Sequence, residues 1–231
     1  MINYEIIKDV NALNSFITWL PELEKGECFL LSLFSRKKYF DKPTDIRGDK
    51  SQLKRFTVSQ KSLIADKIKQ LEVEVGAYKT SGHPIPQEAL ALYITVNPRS
   101  NSKAARALLK ELADIIGGED KREYSLHKLA MNATQVACSR KLYMDFDFDH
   151  RDPEEVITEM KEIINPDAFC TVVTRGGCHV LVEVLKIAPT HAKTWYQSVM
   201  KLTGVDVSGD VLLPVPGCCQ GGFVPYMIFN S

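Results

Sequence analysis

The sequence predicts an α+β fold whose second half is a split βαβ sheet, and three observations lead there. From residue 141 onward, strand-like and helix-like segments follow in the order β-α-β-β-α-β. The run Asp145-Phe146-Asp147-Phe148-Asp149 alternates acidic and apolar residues with the period of two that a strand requires. The 231 residues are 45% hydrophobic and 25% charged, an ordinary globular balance with room for one sizeable core or two small ones.

The first half reads as an N-terminal α/β module over residues 1–120. Residues 1–24 contain a helix. Residues 28–34 are an apolar run and form a buried strand, followed by the basic turn Arg36-Lys37-Lys38. Residues 57–71 carry helical periodicity after a polar start. Residues 89–96 form a second buried strand, broken by Asn97-Pro98. A helix over residues 102–116 ends at Gly117-Gly118, and another spans residues 126–139. The basic clusters at 36–38 and 50–55 fall among loop residues, where a solvated surface is the ordinary explanation; a third lies between Arg99 and Arg106.

The second module covers residues 121–231. Strands are expected at 141–148, 168–174, 179–185 and 211–215, with helices at 153–164 and 191–202. Asp149 with His150 is expected to cap the helix that begins at Pro153. This is the pattern shared by ferredoxin-like folds and RNA-recognition motifs. In it the first strand lies between the third and fourth and runs antiparallel to both. His179, opening the third strand, and Asp206 and Asp210, at the entrance of the fourth, then come near Asp147.

Equal numbers of basic and acidic side chains, 29 each, give no net charge and exclude binding of nucleic acid by bulk charge, though not by a local groove. No apolar run approaches the roughly 20 residues of a membrane helix. Residues 1–8 lack the layout of a signal peptide, so a cytoplasmic location and no membrane partner are expected. The six cysteines lack the paired spacing of a zinc site, and buried, reduced thiols are expected.

The acidic strand carries the functional expectation. Residues i and i+2 of a strand share a face about 6.5–7 Å apart, so Asp145, Asp147 and Asp149 form a stripe of like charge. Such a stripe resists ionisation unless a cation sits above it. Alternating Asp and Phe also suits an amphipathic strand with its polar face in water. The usual remedy is one or two hard divalent ions shared with a phosphate-bearing substrate, and the stripe reads as a metal-dependent phosphoryl-transfer site. His179 and Arg175 of Thr174-Arg175-Gly176-Gly177-Cys178-His179 are placed to hold phosphates, with Gly176 and Gly177 admitting close backbone approach. Asp206 and Asp210, around Ser208-Gly209, compete for the third acidic position, and both also fit a simple turn.

The order D-x-D, small-x-His, hydrophobic-Asp and then Pro216-Gly217 resembles the archaeo-eukaryotic primase superfamily. The stretch Val215-Pro216-Gly217-Cys218-Cys219-Gln220-Gly221-Gly222-Phe223 is similar to the proline-glycine segment of its plasmid and phage members. The resemblance spans about residues 85–228. It implies a primase or primase-polymerase core in which Asp145, Asp147 and Asp206 or Asp210 bind catalytic Mg²⁺ or Mn²⁺. It further implies that His179, with Arg175 and Gly177 beside it, meets the phosphates of a nucleoside triphosphate. The first module, with Asn97-Pro98-Arg99, would face a single-stranded DNA template. Gly177 stands where serine is common, and Cys218 where threonine often follows Pro-Gly. The alternative is a non-catalytic member of the same fold that binds nucleic acid or nucleotide in replication initiation. A polymerase-β type transferase would need a Gly-Ser pair before the D-x-D, and a nickase would need His-x-His; neither occurs. No G-x-x-x-x-G-K-[ST] is present, so a helicase would be a separate partner.

Overall fold

The computed structural model describes residues 2–39, 50–80, 82–118, 125–209 and 212–230. The first half runs α1 (Val10–Trp19), β1 (Glu27–Arg36), β2 (Lys50–Val58), α2 (Ile64–Lys69), β3 (Lys79–Thr80), β4 (His83–Pro84), β5 (Leu90–Thr95), β6 (Arg99–Ser100), α3 (Asn101–Gly117) and α4 (Leu126–Val136). The second runs β7 (Tyr143–Asp149), α5 (Pro153–Ile163), β8 (Phe169–Thr174), β9 (Gly177–Glu183), α6 (Trp195–Val199), β10 (Val205–Gly209), β11 (Leu212–Pro214) and β12 (Tyr226–Phe229). The fold mixes α and β, as the sequence predicts.

Two antiparallel sheets organise the molecule. One has the order β11-β5-β1-β2 with β6 attached to β1, and the other the order β10-β7-β9-β8-β12. Strand β7 thus lies between β9 and β10. Its two faces are buried differently. Phe146 and Phe148 are fully buried against Val156 and Met160 of α5 and Trp195 of α6, each burial contributing about 2–3 kcal/mol. On the other face Tyr143, with Leu181, Cys170 and Val172, enters the core that also holds Leu13, Phe16, Leu31 and Ile94 of the first half.

Local chemistry sets the helix ends. Asp9 caps α1 by accepting from the Asn11 and Ala12 amides. The cap of α5 is Asp152, which accepts from the Glu154 and Glu155 amides, and not Asp149 with His150. Pro153 at the first position and two glutamates in the first turn complete that start.

Several further expectations change. The strand beside β7 is β10, because Val205 and Val207 pack toward the α5-side core. The expected strand at 211–215 appears as β11 and pairs with β5 in the other sheet. Residues 50–58, read as loop and helix start, form edge strand β2; its mostly exposed polar residues hide the strand signal. The helix expected over 57–71 shrinks to α2, and that over 191–202 to the single turn and a half of α6. Five of the six cysteines are buried. Among the described residues no helix is long and apolar enough to cross a membrane.

Asn97 ties the sheets together. Its Oδ1 accepts from the Leu142 and Tyr143 amides at 2.8 and 2.9 Å, and its Nδ2 donates to the Tyr143 carbonyl at 3.0 Å. With Arg99 only 1% exposed, this segment is packed between elements and offers little surface to a template.

Candidate active site

Register brings the sequence-predicted residues together. On β7, Asp147 pairs with His179 of β9 on one side and Asp206 of β10 on the other. Directly opposed residues of antiparallel strands share a face, so Asp147, His179 and Asp206 form one row across three strands. Asp206 lies within β10, not at its entrance. Asp210 lies outside the described residues. Asp145 stands one step along the same face, opposite Leu181 and Gly209.

The acidic stripe is graded rather than uniformly solvated. Asp145 is 2% exposed, Asp147 is half-buried, and Asp149 is exposed. The grade follows from what covers the face: the shared core reaches Tyr143 and Leu181 and stops beside Asp145. The imidazole of His179 bridges the two inner carboxylates. Its Nδ1 lies 3.0 Å from Asp145 Oδ1, and its Nε2 lies 3.6 Å from Asp147 Oδ1. Asp145 Oδ2 is buried and has no hydrogen-bond partner among the described residues.

The electrostatics follow from that packing. Burial opposes a charged His179 ring, yet Asp145 foremost, then Asp147 and Asp149, outweigh it and hold the imidazole pKa above its ordinary value. Burial pushes the Asp147 carboxyl up. His179 pulls it back down, while Asp149, Asp145 and Asp206 push it further up. The like-charge strain expected from the sequence is therefore present at Asp147.

The glycines and Arg175 serve the architecture. Gly177 pairs with Asp149 at φ 148°, and a Cβ there would overlap the Phe148 carbonyl oxygen. A side chain at this position is excluded by β7 itself, before any phosphate is considered. The Arg175 amide donates to Gln220 Oε1 at 2.9 Å, its guanidinium donates to the Gly221 carbonyl, and its Cζ lies 4.8 Å from the Tyr39 ring centre. Arg175 thus joins the β8–β9 turn to the first sheet. Gly217 of the Pro-Gly segment sits under the start of α1, its carbonyl accepting from the Lys8 and Asp9 amides. Cys218 and Cys219 are buried in the core.

Asp147 and His179 of this row line a cleft of about 290 Å³ to which both sheets contribute. One wall carries Asp147, Asp149, Gly176 and His179; the other carries Arg36, Lys38, Tyr39, Lys50 and Tyr93. The basic residues read from sequence as solvated surface therefore face the carboxylates. Nothing local in the sequence marks them, because β1, the turn after it and β2 meet the acidic strand only through the packing of the sheets.

The donors suit a hard divalent ion in kind. They are carboxylate oxygens, one of them buried without a hydrogen-bond partner among the described residues, beside a carboxyl whose pKa is raised foremost by burial. Among the described residues, no three His, Cys, Asp or Glu side chains converge on one ligating point, since the His179 ring stands between Asp145 and Asp147. No family model, curated protein or solved structure matches this chain.

Proposed function

We propose that the protein is a metal-dependent nucleotidyltransferase, a DNA primase or primase-polymerase core that extends primers on single-stranded DNA from nucleoside triphosphates. The observation that carries the reading is the row Asp147–His179–Asp206, whose Asp147 and His179 line a cleft shared with Arg36, Lys38 and Lys50. The strand order β10-β7-β9-β8 supports the finer description of this half as a split βαβ, RRM-like unit.

Asp147 and Asp206, with the inner carboxylate Asp145, would hold Mg²⁺ or Mn²⁺. When bound, the ions supply Lewis-acid stabilisation of the attacking 3′ oxygen and the departing pyrophosphate. Asp145 orients His179 through the ring's Nδ1 and leaves its Nε2 beside Asp147. Core packing on the Tyr143 side excludes water behind Asp145 and raises the strength of these charge contacts. Single-stranded DNA, nucleoside triphosphates and a separate helicase are the partners that fit, in a cytoplasmic setting.

A non-catalytic nucleotide- or nucleic-acid-binding protein is the second reading. It draws on the bridging imidazole, which supplies from within the chain the cation that the acidic stripe needs.

Labelled nucleoside triphosphates, single-stranded DNA and Mg²⁺ or Mn²⁺ test the first reading. Wild type is expected to make primers, and Asp145→Ala/Asp147→Ala none. A folded wild type that binds nucleotide and makes no product moves the conclusion to the second reading.

A further inference from the structure

The cleft is polarised across its width. Among the described residues its lining carries three fixed cations, Arg36, Lys38 and Lys50, all from the first sheet and the turn that follows β1, against the two carboxylates Asp147 and Asp149. The cations are seated on aromatic rings. Lys50 Nζ lies 4.1 Å from the Phe34 ring centre and 5.1 Å from that of Tyr93. Lys38 Nζ lies 5.7 Å, and the Arg36 guanidinium carbon 5.6 Å, from the Tyr39 ring centre. Arg36 Nη1 donates to the Tyr93 hydroxyl at 3.0 Å. All three rings, Phe34, Tyr39 and Tyr93, are themselves buried in one small cluster. Cations held this way lose less side-chain freedom when a ligand arrives than lysines on an open surface.

A wall of this kind suits an anion that carries several charged groups. A single carboxylate or monophosphate meets one or two such cations, whereas a chain of phosphates offers several anionic groups at once. We infer that the first sheet is the polyphosphate-binding wall of the cleft, and that Arg36, Lys38 and Lys50 hold the triphosphate of the substrate without help from a metal. The inference rests on the nucleotidyl-transfer reading for the identity of the substrate, but its chemistry concerns the phosphate chain alone.

Calorimetric titration of the full chain with inorganic tripolyphosphate in excess EDTA tests it. Wild type is expected to bind. Lys38→Gln/Lys50→Gln, at two exposed positions whose change leaves the core intact, is expected to bind about tenfold or more weakly. Asp147→Asn is expected to bind at least as tightly as wild type, because a repelling carboxylate is gone. Lys37→Gln/Lys54→Gln, lysines that do not line the cleft, should leave binding unchanged and so control for bulk charge. Binding that appears only when Mg²⁺ is added, or that is equal in wild type and Lys38→Gln/Lys50→Gln, overturns the inference. Primer synthesis is read separately. A chain that binds tripolyphosphate as expected and makes no primer keeps the inference and removes the reading beneath it. A chain that makes primer but binds tripolyphosphate only with Mg²⁺ does the reverse.

Discussion

His179 Nδ1 lies 3.0 Å from Asp145 Oδ1, and this contact joins the most buried carboxylate of the acidic strand to the one imidazole on its neighbour. It makes the ring's charge a property of the folded state. The ordinary imidazole value is 6.5, and the Asp145 carboxylate holds the folded value above it. A raised value means that the ring's stabilisation is fully present below about pH 6.5 and is lost as pH rises through the folded pKa. Asp145→Asn is expected to lower the His179 pKa, read by NMR titration of the ring. An unchanged titration would separate the two residues.

A second ion pair titrates in the opposite sense. Arg140 donates to Glu27 through Nε at 2.9 Å and Nη2 at 2.7 Å, fixing the segment before β7 to the start of β1. This pair foremost depresses the Glu27 carboxyl from 4.5 to about 2. The stabilisation is present above about pH 4.5 and is lost as pH falls toward 2. Its size is about 2–3 kcal/mol. Glu27→Gln is expected to lose that amount at pH 7 and to flatten the acid limb of stability, measured by urea unfolding between pH 3 and 7. A retained acid limb would assign it to other carboxylates.

Gly177 tests the turn. Alanine there must occupy a strained φ and displace the Phe148 carbonyl, so Gly177→Ala is expected to cost about 2–3 kcal/mol. An unfolding midpoint equal to wild type would mean that β7 and β9 yield without cost.

Asn97 tests the link between sheets. Asn97→Ala leaves the Leu142 and Tyr143 amides without their acceptor in a buried place, at an expected cost of about 2–3 kcal/mol. Denaturant unfolding measures it. A loss under about 0.5 kcal/mol, within the range of an ordinary surface substitution, would show that water or a backbone shift replaces those bonds.

What the sequence reveals and what it hides have separable causes. The acidic strand is legible because Phe146 and Phe148 alternate with the aspartates. The helix at Pro153 is legible because proline and two glutamates mark its first turn, though the capping residue proves to be Asp152. Edge strand β2 is hidden by its exposed polar residues. The partner of β7 is mistaken because Asp206, Ser208 and Gly209 break up the apolar signal of Val205–Gly209, and the more apolar Leu212–Pro214 draws the strand assignment, yet it pairs elsewhere. The basic wall is illegible for a different reason: Arg36, Lys38 and Lys50 acquire their meaning from sheet packing across more than a hundred residues of chain.

Primer synthesis by single-site variants tests the central claim most directly. The account places Asp206 in register with Asp147, so wild type should extend primers on single-stranded DNA with Mg²⁺ or Mn²⁺. Asp206→Asn and Asp147→Asn should each reduce the rate by at least about a hundredfold. A folded wild type that makes no primer, or an Asp206→Asn chain that works at the wild-type rate, would contradict it.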